Sequence, residues 1–375
     1  MSEQKRNVPK LRFPGFTDAW EQRKLGEMVN VRSGQDYKHL SEGDIPVYGT
    51  GGYMLSVDKA LSYSKDAIGI GRKGTIDKPY LLRAPFWTVD TLFYAIPKAE
   101  NDLDFIHSIF QKIEWRRRDE STGVPSLSKT AVTRIDVFSP SSAEQALIGS
   151  FFRDLDDLIT LHQRKLDHLK LQKRGLLQKM FPRDGSDGPE IRFPGFTDAW
   201  EQRKVSEIMH RATTFSDDPT LPNVEYEDVE SGQGLLNKNL LEKAVAKKGL
   251  LFEPGDILFG KLRPYLKNWL RPAFSGIAVG DWWVLKPDLA TSEFLYAFIQ
   301  GSSFQNIANM STGTKMPRSD WNLVANTEFG IPSEQEEQAL IGSFFRDLDD
   351  LITLHQRKLD HLKLQKKALL QQMFI

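Results

Sequence analysis

The chain has no cysteine. Disulfides, iron–sulfur clusters and thiol catalysis are therefore excluded. It has no apolar run near the ~20 residues that a bilayer-spanning helix needs. Its first residues, MSEQKRNVPK, lack the apolar core of a signal peptide. We therefore expect a cytoplasmic protein with no membrane partner. An excess of one charge is missing too: 50 Lys+Arg face 50 Asp+Glu. A nucleic-acid binder usually carries a basic excess, so neutrality argues mildly against one unless the cations cluster on one face.

The 375 residues, 40% hydrophobic and 27% charged, suit a globular protein with sizeable cores. The length points to two domains or slightly more, and an internal repeat says the same. Gln145–Lys173 reads QALIGSFFRDLDDLITLHQRKLDHLKLQK, and Gln338–Lys366 repeats it letter for letter. RFPGFTDAWEQRK occurs at Arg12–Lys24 and again at Arg192–Lys204. Between these repeats the sequence does not match itself. The chain is built twice from one plan, in which a fixed frame holds two different inserts, as in a two-site reader. The expected domains are an entry segment (1–24), a first variable domain (25–140), a long helix (141–182), a second entry segment with a second variable domain (183–332), and a second long helix (333–375).

The helical repeat carries a narrow seam. Leu155, Ile159, His162, Leu166, Leu169, Lys173, Leu176 and Met180 alternate by four and three, and Leu348, Ile352, His355, Leu359, Leu362, Lys366, Leu369 and Met373 do so in the copy. That spacing is the seam of a coiled coil. Ser141, Ser142 and Glu144, and Ser333 and Glu336 in the copy, offer N-terminal capping chemistry. Pro182 ends the first helix. About 38 helical residues span roughly 57 Å. The second helix comes after a globular block, so the two most simply pair antiparallel. Polar seam residues would fix register; His162 and His168, six apart, share no face and do not make a metal site.

The variable blocks read as mixed α and β. VYGTGGYML, AIGIGRKG and FWTVDTLFYAI look like strands with glycine turns, as do GDILFGKL and IAVGDWWVLK. DFIHSIFQKIEWRRR and SEFLYAFIQGSSFQNIANM look like helices. Both blocks reach the same punctuation, Ser121-Thr122-Gly123 and Ser311-Thr312-Gly313, before a Pro–Ser lead into the long helix.

Two glycine motifs fail as nucleotide sites. Gly69–Gly74 fits GxGxxG, but the helix that should follow is blocked by Pro79 and Pro85; a strand–turn–strand loop carrying Arg72 and Lys73 is expected instead. Gly255–Lys261 has P-loop spacing, but Leu262 replaces the magnesium-binding hydroxyl and Pro264 stands where the helix should run. Neither an adenine-methyltransferase Asn/Asp-Pro-Pro-aromatic motif nor a nuclease signature is present, and no His/Asp/Glu cluster has metal spacing. The sequence points to binding without chemistry. Cations interleaved with tyrosine and glycine are what phosphate positioning and base-edge reading require. Such groups occur at Trp115–Arg118, at Arg72 and Lys73, at Lys261, Arg263, Tyr265, Lys267 and Arg271, and at Lys315 and Arg318.

Taken together, the duplicated FPGFTDAWEQRK entry, the duplicated helix and the Ser-Thr-Gly punctuation resemble the specificity (S) subunits of type I restriction–modification systems, over essentially the whole chain. The resemblance implies an α+β fold: two mixed α/β target-recognition domains, joined and spaced by two long helices in an antiparallel coiled coil, with a pseudo-two-fold internal repeat. It implies a non-catalytic subunit that binds a bipartite double-stranded DNA target, one half-site per variable domain. Two modification subunits would methylate adenine, and restriction subunits would cut and translocate DNA. No cofactor is expected in this chain; S-adenosylmethionine, ATP and Mg would belong to the partners. Within this frame Arg72, Lys73 and Lys129 would serve the first half-site, and Lys261, Arg263, Lys315 and Arg318 the second. Ser121, Thr122, Ser311 and Thr312 would be positioning hydroxyls. The competing reading is a coiled-coil adaptor whose two heads bind proteins; salt dependence of DNA affinity separates the two. A third, a self-sufficient enzyme, would require turnover by the chain alone.

Overall fold

The short EQRK segment that ends each entry repeat becomes an edge strand of the frame. The computed structural model describes residues 7–183, 186, 188–238, 247–310 and 316–375. These divide into two units: one takes the residues up to Gln163 together with Arg357–Ile375, and the other takes Arg164–Gln356.

In the first unit β1 (Glu21–Lys24) leads into the one-turn helix α1 (Leu25–Met28) and β2 (Val29–Ser33). A hairpin of β3 (Glu42–Gly49) and β4 (Gly52–Val57) follows, then β5 (Ala67–Gly71), β6 (Tyr80–Leu82), β7 (Trp87–Thr88) and β8 (Leu92–Pro97). Next come α2 (Leu103–Lys112), α3 (Lys129–Thr133) and β9 (Asp136–Ser139), and then the long helix α4 (Ser142–Lys179). The main sheet runs β2-β8-β5-β6 and a smaller one β4-β3-β7, while β1 pairs with β9. Strand β5 (AIGIG) is buried along its whole length. It packs on both faces: Ile68 and Ile70 belong to one core, Ala67 to another. That explains its continuous apolar run in place of alternation. The Asp102 side chain caps α2 by accepting from Phe105 N. Phe105, Ile106, Ile109 and Phe110 of α2 then share a core with Trp20, Phe152, Leu370 and Phe374. The helix ends at Lys112, earlier than the sequence pattern implied. Trp115–Arg118 is a separate 3-10 turn, because Trp115 turns inward and its indole donates to Phe110 O at 2.7 Å.

The second unit repeats the frame. Its strands are β10 (Glu201–Lys204), β11 (Met209–Arg211), β12 (Phe215–Ser216), β13 (Asn223–Val224), β14 (Val229–Glu230), β15 (Leu235–Leu236), β16 (Gly249–Phe252), β17 (Ile257–Gly260), β18 (Trp269–Leu270), β19 (Gly276–Ala278), β20 (Trp282–Pro287) and β21 (Glu328–Ile331). Its helices are α5 (Val205–Ile208), α6 (Ser292–Gln300), α7 (Ser302–Ala308), α8 (Trp321–Asn326) and the long α9 (Gln335–Met373). The sheet β11-β20-β17-β18 has the order of β2-β8-β5-β6, and β10 pairs with β21 as β1 does with β9. The second sheets differ: β12-β16-β19-β13 replaces β4-β3-β7. The long apolar stretch after Ser292 is two helices rather than one. Gly301 adopts an extended conformation between them, with Phe181 packed against it.

The long helices pair antiparallel within each unit. In the first, Phe152 meets Phe374 with ring centroids 5.8 Å apart, and Asp156 pairs with Lys366. In the second, Lys173 pairs with Asp349 at 2.6 Å, and Phe181 stacks on Phe345 at 6.2 Å. Later residues of one helix thus meet earlier residues of the other. The seam residues Leu166, Leu169, Ile352, Leu359 and Leu362 are buried, and Leu155, Ile159, Leu176, Leu348 and Leu369 are half-buried.

The capping expectation at the helix starts needs correction. Glu144, 1% exposed, does not cap α4; Arg12 grips its carboxylate through two bonds of 2.7 Å. The equivalent in the copy is Glu337, held by Arg192 at 2.6 and 2.8 Å, while Glu336 is exposed. The next residue ties helix to head: Gln145 Oε1 accepts from Asp102 N, and Gln338 Oε1 from Thr291 N.

Candidate nucleic-acid interface

The two main sheets present one loop each at the same place. In the first head, β5 ends at Gly71, whose hydrogen faces Thr75 O so closely that a Cβ would lie 1.9 Å from it. The chain can double back only because no side chain is there. Arg72 N then donates to Thr91 O (2.8 Å), Leu127 N to Arg72 O (2.9 Å), and Gly74 N to Pro125 O (2.9 Å). Lys73 and Ser126 form a β-bridge. In the second head Lys261 N donates to Asp281 O (2.9 Å), Ser319 N to Lys261 O (2.8 Å), and Arg263 N to Pro317 O (2.7 Å). Leu262 and Arg318 form the bridge. Residue for residue, Arg72 corresponds to Lys261, Lys73 to Leu262, Gly74 to Arg263 and Ser126 to Arg318.

In the first head this geometry gathers Arg72, Lys73 and Lys129 around one open cleft of about 380 Å³, with Ser33, Phe93, Glu120 and Ser128 in its walls. The Arg72 guanidinium sits 5.8 Å from the Phe93 ring centroid and reaches Asp90 O at 3.4 Å. Lys129 opens α3, whose N-cap is Ser128. Lys73 and Lys129 form no ion pair among the described residues. Three exposed cations on one face offset the neutral composition locally. Ser121 lies outside this cleft. Its hydroxyl and backbone N–H both donate to Asp119 Oδ1, which also accepts from Ser126 N. These bonds, with that from Ser126 N the largest, hold the Asp119 carboxyl below the usual carboxylate range. Ser121 therefore shapes the turn, and Thr122 is exposed beside it.

In the second head Lys261 and Arg318 converge on Asp281, at 3.7 and 3.0 Å. Arg318 above all, then Lys261, holds the Asp281 carboxyl below its ordinary range against the opposing effect of burial. The Tyr226 hydroxyl donates to Asp281 O and accepts from Leu262 N at 3.1 Å. Its burial pushes the phenol pKa up. Arg263 is exposed and carries no ion pair among the described residues. Lys315, Ser311 and Thr312 lie outside the described residues. Asp281 and Tyr226, absent from the sequence-based set, organise this loop. The one sequence signal for Asp281 is Gly280 before it, at φ +102°.

The P-loop-like stretch is strand, not a phosphate cradle. Buried Asp256 binds Lys286 at 2.9 Å, and β17 occupies the apolar run. The three-arginine stretch is largely paired: Arg116 with Asp77 at 2.5 Å, and Arg117 with Glu114 at 2.6 Å. Among the described residues no group of three His, Cys, Asp or Glu is placed to hold a metal, and no helix is long and apolar enough to cross a membrane.

A duplicated frame that presents two different loops from equivalent sheets defines a two-headed recognition protein. The chain belongs to the type I restriction modification DNA specificity domain family, whose model matches residues 17–171 and 197–364. It is 21% identical over 299 residues to the type I restriction enzyme MjaVIII specificity subunit of Methanocaldococcus jannaschii, covering 73% of this chain and 69% of that protein. It is 20% identical over 358 residues to the EcoDI specificity subunit of Escherichia coli, covering 86% and 80%. A crystal structure of the S subunit of a type I restriction–modification system from M. genitalium shares the fold, with a TM-score of 0.69 at 14% identity, over 98% of this chain and 99% of that one. The chain is thus a specificity component, without a catalytic centre or cofactor of its own.

Proposed function

We propose that each head reads one half of a split double-stranded DNA target, and that the paired helices α4 and α9 set the distance between the halves. The observation that carries this reading is the equivalence of the two main sheets, each displaying a different cationic loop at the same position. Protein-binding heads on a coiled-coil adaptor would not need matched sheets with cations gathered at their loop edges. Two modification subunits would bind this subunit and methylate adenine, using S-adenosylmethionine; restriction subunits, with ATP and Mg, would join them. In this reading the protein works in the cytoplasm, where its DNA is. The frame residues 1–24, 141–182 and 333–375, with the second entry segment that opens 183–332, would serve assembly; 25–140 and the variable remainder of 183–332 would serve recognition.

The test is to express the chain with its modification subunits and sequence the methylated adenines. One bipartite consensus is expected. Affinity of the complex for that DNA should fall steeply with salt, because phosphate neutralisation releases counterions. Salt-independent binding, or methylation without a shared consensus, would contradict the reading.

A further inference from the structure

Arg263 stands where the first head has Gly74. Both positions donate their backbone N–H to a proline carbonyl, Pro317 and Pro125, and both are left-handed, at φ +48° and +88°. A left-handed backbone suits glycine and strains an L side chain. A second strained residue, Lys267 at φ +58°, closes the same short turn. Glu100 is the other non-glycine residue at positive φ among those described. Two of these three residues therefore bracket one loop, and both are cations.

The loop backbone is nonetheless held firmly. Leu266 N donates to Arg263 O (2.9 Å) and Lys267 N to Pro264 O (2.8 Å), while Lys267 O accepts from Gly232 N (2.8 Å). The side chains of Arg263 and Lys267 are exposed, and Tyr265 between them is 55% exposed. Strain retained where glycine would relieve it points to a use for the side chain. Lys261 and Arg318, in contrast, are already engaged with Asp281.

Resting on the DNA-recognition reading above, we propose that Arg263 is the base-reading residue of the second head. Its guanidinium makes the bidentate contact to a guanine edge in the major groove. Lys267 contacts phosphate beside it. Lys261 and Arg318 hold the loop through Asp281 and do not read bases. A guanidinium fork offers two parallel donors, which matches guanine O6 and N7; an ammonium does not.

The experiment maps methylated adenines for the whole complex carrying Arg263→Gly or Arg263→Lys. Glycine keeps the left-handed turn and lysine keeps the charge. Both variants should lose the preference for one base pair of a single half-site by about tenfold or more, with the other half-site and the spacing unchanged. Lys267→Ala should lower methylation at all sites alike and leave the consensus intact. If Arg263→Lys keeps the wild-type consensus, the contact is to phosphate and the proposal is overturned. Loss of methylation at every site in both variants would place Arg263 in the fold, and also overturns it. A wild-type complex without a bipartite consensus would instead fail the underlying reading.

Discussion

Arg12 and Glu144 lie far apart in sequence, yet share two hydrogen bonds of 2.7 Å at the foot of the first long helix. Arg192 and Glu337 repeat the arrangement, where Trp200 Nε1 also reaches the carboxylate at 3.4 Å. Each pair fastens an entry segment to the helix that follows its head. Removing one partner leaves the other charge buried and unpaired, which is worse than never having had the pair. Glu144→Ala should cost about 3 kcal/mol, and Glu337→Ala a similar amount. Urea unfolding measures this. An unchanged midpoint would show that solvent already screens the pairs.

The long helices carry glycine at two equivalent places for close approach. A Cβ on Gly149 would lie 2.1 Å from Asp102 Oδ1 and 2.8 Å from Phe105 N. On Gly342 it would lie 2.5 Å from Glu293 Cβ and 2.7 Å from Phe294 N. Helix propensity favours alanine over glycine by about 1 kcal/mol, but here the head helix is in the way. Gly149→Ala and Gly342→Ala should therefore destabilise. Gly175 meets nothing within 4 Å, and the repeat has Ala368 at its place. Gly175→Ala should stabilise by roughly 0.5–1 kcal/mol. Thermal denaturation of the three variants decides whether contact or propensity rules each site.

His107 of α2 is buried beside Gln111, whose amide also reaches Asp156 at 3.4 Å. Burial lowers its pKa to about 4 from 6.5, with Lys366 opposing protonation and Asp156 favouring it. The unfolded chain thus takes up a proton before the folded one does. The stability is complete above about pH 6.5 and is lost as pH falls toward 4, by up to about 3 kcal/mol. The second head has Tyr296 at the matching position of α6, with no comparable titration. His107→Gln should narrow the difference in unfolding free energy between pH 7.5 and pH 5. An equal difference in both proteins would place the acid sensitivity elsewhere.

The long helices were legible because a period written twice leaves little choice of structure. The run AIGIG and the glycine turns were legible as local patterns. What stayed hidden was pairing across distance. Arg12 opens one repeated segment and Glu144 stands just before the other, yet nothing in either says that they meet, and Glu144 looked like a cap. The bonds from Ser121 N and Oγ to Asp119 were likewise invisible in the sequence. Gly74 and Arg263 align only when the Pro125 and Pro317 carbonyls are seen to accept from them. That Lys261 and Arg318 share Asp281 was hidden too, because Asp281 carries no motif.

The helices as a ruler make a geometric prediction. The units divide at Gln163/Arg164 in α4 and Gln356/Arg357 in α9. Inserting seven residues at both places keeps the seam in phase and adds about 10.5 Å of rise. At ~3.4 Å per base pair the spacer should lengthen by about three base pairs. The half-sites should not change. An active variant with the original spacer would rule the ruler out.

The central claim is that the two heads read independently within one frame. Its most direct test is to replace residues 205–332 with the corresponding block of another family member and to sequence methylated adenines for the assembled complex. The account predicts that one half-site changes while the other half-site stays as it was. A consensus altered in both halves, or in neither, would contradict it.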